Sequence, residues 1–213
     1  MKYIVLLAII LAFAMSQDDD PMWNNRWCED FTEQFTYGWL GPYTTSGKMC
    51  YDWDLKQYAV YRDNGHWDRY CGFDWYHIWF ASPCTHYVKN ATRYLHYPKE
   101  NYCCTCCYAE DGCDVLKPNW LEGAEFIGEV AFEGQTAYKW DKAGLQSNFY
   151  YETAEFSPKD RIMLGIDQQP NDFQMFDSST YTTNFDQGLL DLPDGCEGSS
   201  TCSIGICTAV RNA

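Results

Sequence analysis

Five cysteines fall between Tyr102 and Cys113, in the run Tyr-Cys-Cys-Thr-Cys-Cys-Tyr-Ala-Glu-Asp-Gly-Cys. Thiols at that density can hold a metal, exchange electrons or cross-link the chain, and compartment and spacing decide among these. A zinc site wants two well-spaced ligand pairs. Cys103, Cys104, Cys106 and Cys107 instead crowd together with no His-x-His pair beside them. The start of the chain speaks to the compartment. One charge at Lys2, an apolar run from Ile4 to Phe13 and small residues at Ala14 and Ser16 read as a secretory signal peptide over residues 1–16, with the mature chain starting at Gln17. The apolar run is well short of the ~20 residues that span a bilayer, so no transmembrane segment is expected. Export places all twelve cysteines in oxidising surroundings, where an even count implies disulfides. Adjacent cysteines rarely bond to each other because the ring strains the peptide between them. Each of the crowded four is therefore expected to reach elsewhere, with Cys28, Cys50, Cys71, Cys84, Cys196, Cys202 and Cys207 as candidate partners. With Cys113 these make the full set, and spacing gives no pairing scheme.

Four histidines, His66, His77, His86 and His96, lie close in sequence, but none has a ligand spacing such as His-Glu-x-x-His, and hydrogen-bonded histidines beside tyrosines explain them. No metal site is expected. Gly-x-Ser-x-Gly elbows, phosphate loops and dinucleotide fingerprints are absent, so no cofactor is implied. Thirty Asp and Glu could supply the two carboxylates of a glycoside hydrolase, yet most sit in turns or on polar strand faces where solvation accounts for them. The polar run Asp167 to Asp172 lacks the spacing of a calcium loop. The net charge of −15 argues against nucleic acid and anionic membrane surfaces as partners. Asn90-Ala91-Thr92 is an N-glycosylation acceptor, which would put Asn90 on the surface.

Strands must position these residues. Residues 17–47 read as irregular, with Trp27 to Phe35 able to make a turn or two of helix. Lys48 to Trp53 and Tyr58 to Arg62 form a hairpin, ended by the turn Asp63-Asn64-Gly65. Ala124 to Phe132 alternates with period two, its glutamates on one face. Thr136 to Trp140, Gln146 to Glu152 and Arg161 to Asp167 continue an antiparallel series. No amphipathic helix of ten or more residues occurs, and the chain reads as a single disulfide-rich, mainly β domain over residues 17–213. Aromatic residues are 18 % of the chain, in excess of what a core alone uses.

The order of several motifs resembles the ependymin-related secreted proteins: the cysteine cluster, Lys117-Pro118-Asn119-Trp120-Leu121, the Ala124-Glu125-Phe126-Ile127-Gly128 strand, Trp140, and Leu190-Asp191-Leu192-Pro193-Asp194-Gly195-Cys196. The resemblance covers roughly residues 47 to 196 and implies curved antiparallel sheets in a half-barrel or sandwich of the bacterial lipoprotein-carrier type, two stacked sheets around a pocket for a lipid or other hydrophobic small molecule. The doubled cysteine pairs, the aromatic N-terminal segment and the Cys202 to Cys207 tail depart from that pattern. The expected function is a secreted, non-enzymatic binder of a hydrophobic or amphipathic ligand. Its pocket would be lined by Trp53, Tyr58, Val60, Phe126, Val130, Phe132, Trp140, Tyr151, Ile162, Leu164 and Ile166, all taken to face inward. The alternatives are a matrix or surface-coat protein that forms homo-oligomers, and a secreted glycosidase.

Overall fold

Trp27, Phe31 and Phe35 recur every fourth residue, a spacing that suits one face of a helix. It also suits every second inward position of a strand, and the structure takes this second option. The structure, a computed structural model, describes residues 20–37, 40–63, 68–71, 82–143, 147–203 and 205–212. The expected signal peptide, His66 and His77 lie outside these residues. Strand β1 spans Arg26–Tyr37, and Trp27, Glu29, Phe31, Glu33 and Phe35 are all buried. The helical turn expected at Trp27 to Phe35 is therefore corrected. Two inward glutamates break the apolar alternation that would have marked the strand.

Ten further strands follow: β2 Leu40–Asp52, β3 Gln57–Arg62, β4 Cys84–Lys89, β5 Thr92–Tyr97, β6 Tyr102–Tyr108, β7 Glu125–Phe132, β8 Gln135–Ala143, β9 Ser147–Thr153, β10 Met163–Gln168 and β11 Asp172–Thr182. The irregular stretch expected before Gly47 is thus mostly strand. The strands form one antiparallel sheet in the order β6-β5-β4-β3-β2-β1-β11-β10-β9-β8-β7. Every step joins strands that are consecutive in the sequence except the pairing of β1 with β11 in the middle of the sheet. A seven-residue helix, α1 (Gly205–Arg211), ends the chain.

The sheet is curled. Six strand spacings of ~4.8 Å separate β5 from β10, about 29 Å in a flat sheet, yet Arg93 of β5 and Ile166 of β10 line the same cavity. The inner face carries a cluster built on Trp27, Phe31, Tyr51, Val88, Trp140, Tyr150, Met163 and Phe176. The outer face of β7–β11 carries a smaller one of Phe132, Ala137 and Leu164 with Val130, Tyr151, Phe173 and Met175. Gly165 makes this second cluster possible, because a Cβ there would stand 2.7 Å from the Phe132 ring.

All twelve cysteines are paired: Cys28–Cys50, Cys71–Cys84, Cys103–Cys196, Cys104–Cys202, Cys106–Cys207 and Cys107–Cys113. The opening run is therefore covalent scaffolding. Three of its bridges go to the C-terminal tail, and Cys107 closes a short local loop. The tail passes over the outer face, where Leu190 and Cys196 pack with Cys28, Cys50, Ala59 and Tyr87. It then pairs with the β6 edge through Thr105 N to Ser200 O at 2.9 Å and Cys202 N to Thr105 O at 2.8 Å. Finally α1 brings Ile206 and Val210 against Leu95, Tyr97 and the cysteines of β6.

Candidate functional site

The inner face divides into an aromatic end and a polar end. At the aromatic end, residues 109–124 cross from one sheet edge to the other, linking β6 to β7. Trp120 of this crossover meets Trp23 edge-on at 5.4 Å and Tyr150 at 6.0 Å. The Tyr51 hydroxyl donates to the Leu116 carbonyl at 2.8 Å, and Trp23 Nε1 donates to the Tyr150 hydroxyl at 3.0 Å. The crossover and residues 20–25 thus close this end. Glu152 lies beneath it, accepting from Trp140 Nε1 at 2.9 Å and from Arg161 Nη1 at 3.0 Å, with all three side chains buried. Glu29 is also fully buried, and neither carboxyl oxygen has a hydrogen-bond partner among the described residues. Burial, reinforced by Asp177 and Asp30, pushes its carboxyl up to about 9, so Glu29 is a neutral acid at physiological pH.

Hydrogen-bonded ion pairs fill the polar end. Arg62 of β3 is gripped by Glu33 at 2.5 Å and Asp68 at 2.6 Å. Arg69 pairs with Asp172, which also accepts from the Tyr70 hydroxyl at 3.2 Å. Burial pushes the Glu33 carboxyl up to about 7; Arg62 opposes the rise and Asp172 adds to it. His86 donates from Nε2 to the Tyr70 carbonyl at 2.6 Å and accepts at Nδ1 from Arg93 Nε at 3.1 Å. This arrangement fixes the neutral tautomer, and complete burial with Arg93 beside it holds the ring well below the usual histidine range.

Between these groups lies a cavity of about 120 Å³. Its polar wall includes Glu33, Arg62, Tyr70, His86, Arg93, Gln168, Asp172 and Gln174, and its apolar wall is Met49, Val60 and Ile166. The volume exceeds the ~10–15 Å³ that one water needs and falls below the ~300 Å³ of the smallest drug-sized pockets. A larger groove of about 780 Å³, with Asp30, Lys48, Asp63 and Asp177 among its lining residues, is open to solvent.

The eleven residues expected to line a pocket are dispersed. Trp53, Tyr58, Val60, Trp140 and Ile166 belong to or pack against the inner aromatic cluster, and Val60 and Ile166 also line the cavity. Phe126 packs on Trp140 with ring centroids 4.9 Å apart but stays 49 % exposed. Val130, Phe132, Tyr151 and Leu164, expected to point inward, lie in the outer cluster instead. Bulges explain much of this correction: the β7–β8 register shifts between Phe126 and Gly128, and the β9–β10 register shifts between Met163 and Gly165. Each shift moves the following residues to the opposite face, so Met163 faces the interior and Leu164 does not. Ile162 is half-buried and belongs to neither cluster.

Sequence reasoning missed the polar cavity wall. Its arginines and carboxylates come from β1, β3, β5, β11 and residues 68–71, and only the inward parity of Glu33 with Phe31 and Phe35 could have pointed to them. His86 and His96 behave as hydrogen-bonded or ring-packed histidines, with the His96 ring 6.4 Å from Tyr87. Among the described residues, no group of three or more His, Cys, Asp or Glu is placed to hold a metal ion, and no helix is long and apolar enough to cross a membrane. Asn90 is exposed in the turn between β4 and β5.

No protein-family model matches the chain, and no curated protein does. Among solved structures, an uncharacterized conserved protein from Thermus thermophilus is similar, with a TM-score of 0.50 and 9 % identity over 84 % of this chain and 90 % of that one. Weaker likenesses are to PNGF-II, with a TM-score of 0.37 and 9 % identity over 79 % of this chain and 31 % of that one, and to LprF from Mycobacterium bovis, with a TM-score of 0.36 and 10 % identity over 73 % and 85 %. At such identities the first of these is a likeness of fold alone. None is a specific match to the ependymin-related proteins.

Proposed function

We propose that the protein is a secreted, non-enzymatic binder of a small amphipathic molecule, taken up in the cavity on the inner face of the sheet. The observation that carries this reading is the mixed wall of the cavity, with Met49, Val60 and Ile166 on one side and hydrogen-bonding groups on the other. A molecule with a short apolar body and one polar group satisfies both sides. A long lipid chain does not fit 120 Å³ unless the crossover moves away.

The chemistry of the site supports binding over turnover. Glu33, Asp68 and Asp172 are each hydrogen-bonded to an arginine, and both ring nitrogens of His86 are engaged, so these groups hold one another in place rather than stand free to exchange protons with a ligand. Six disulfides are at home in an oxidising compartment, and a glycan at the exposed Asn90 would be compatible with this fold.

Native mass spectrometry and thermal melting of the disulfide-bonded chain test the reading. Small amphipathic molecules are expected to bind one to one and raise the melting temperature by mass action. Ile166→Trp, which fills the cavity, is expected to abolish uptake. Retention of no molecule, together with no thermal shift from short acids, alcohols or amines, would overturn it.

A further inference from the structure

The cavity is bordered by three arginines and three carboxylates, equal in number but unevenly paired. Arg62 is held between Glu33 and Asp68, and Arg69 is held by Asp172. Among the described residues, these pairs use every carboxylate that lines the cavity or touches its arginines. Arg93, which also lines the cavity, makes no ion pair among the described residues, and its hydrogen bond runs through Nε to a neutral imidazole. Its guanidinium therefore keeps the paired terminal N–H groups that recognise a carboxylate bidentately. His86 cannot compensate the charge, since its Nδ1 accepts and its Nε2 is tied to the Tyr70 carbonyl. Gln168 and Gln174 add side-chain amides that can donate to an oxygen.

We propose that the ligand is a small amphipathic acid whose carboxylate pairs with the Arg93 guanidinium while its short hydrocarbon body lies against Met49, Val60 and Ile166. This rests on the binding role argued above and adds the class of the head group. An amine would place a second positive charge beside Arg93. An alcohol would fill the apolar side and leave the guanidinium without a counter-ion. The acid alone satisfies both walls, and the arginine–carboxylate geometry gives it directional preference as well as charge.

The test is calorimetric titration of the full disulfide-bonded chain with hexanoate, 1-hexanol and hexylamine, which share one hydrocarbon length and differ in head group. Hexanoate is expected to bind at least tenfold more tightly than 1-hexanol, with hexylamine weakest. Arg93→Gln is expected to reduce hexanoate to the affinity of 1-hexanol, and Arg93→Lys to retain part of the preference. Equal binding of hexanoate and 1-hexanol to the wild type would overturn the head-group assignment and leave amphipathic binding standing. Hexanoate binding unchanged in a folded Arg93→Gln would overturn it too, by placing the carboxylate elsewhere. Failure of all three ligands to bind would overturn both readings. The comparison of ligands on the wild type decides the matter even where a variant fails to fold.

Discussion

From Asp114 to Gly195 the chain contains no cysteine, so all twelve serve β1–β6, the loop that follows them and the tail. The five strands β7–β11 are held by noncovalent contacts: the Phe132 ring over Gly165, the aromatic contacts of Trp140 and Tyr150, and the buried Glu152–Arg161 pair. The edges differ in the same way. The β6 edge is sealed by the tail and three bridges, whereas β7 pairs on one side only and bears charged Glu125 and Glu129 and a bulge, the usual devices that blunt an open edge. Disulfides stabilise chiefly by restricting the unfolded chain. Packing and buried ion pairs act in the folded state. One wall of the cavity is therefore expected to respond to bond removal and the other to side-chain truncation.

The largest effect is expected in the half without disulfides. Arg161→Met strands the buried Glu152 carboxylate and should cost ~3–5 kcal/mol, while Glu152→Gln combined with Arg161→Met should recover most of the loss. Urea unfolding of the three proteins measures this. A cost below ~1 kcal/mol would mean that packing alone holds that wall.

A smaller effect is expected from removing one staple. Cys104→Ala with Cys202→Ala opens a bridge between residues 98 apart in sequence and should cost ~2–4 kcal/mol. Amide exchange should quicken in β6 and the tail and change little in β8–β10. Equal loss of protection in both regions would erase the distinction between the halves.

Counted per pH unit, the smallest effect concerns β1, the strand that joins them. Glu29 is raised to about 9 from an ordinary 4.5, so above the lower value the unfolded chain releases a proton that the folded chain keeps. Its contribution to stability is complete below that value and is lost as pH climbs towards 9, with a slope of at most ~1.4 kcal/mol per pH unit. Melting temperature should fall between about pH 5 and about pH 8, and Glu29→Gln, which keeps the volume and removes the titration, should flatten that fall. A variant whose pH dependence matched the wild type would show that Glu29 is solvated or paired.

The sequence by itself determined the class of the fold and the fate of the cysteines. Period-two runs such as Ala124 to Phe132, turn residues between them and a lack of long amphipathic stretches allow little besides antiparallel strands. Twelve cysteines, even in number and without metal-ligand spacing, point to bridges. Only the tertiary structure decided which face each side chain takes and where the polar groups meet. A bulge at Ile127 or near Leu164 reverses every following residue, and nothing local in the sequence marks it. Trp27, Phe31 and Phe35 fit helix and strand alike until β2 and β11 flank them. The cavity draws Glu33, Arg62, Arg93 and Asp172 from strands that become neighbours only when the sheet curls. Curling is a property of eleven strands packed together, and the ion pairing that leaves Arg93 without a carboxylate among the described residues arises at that level.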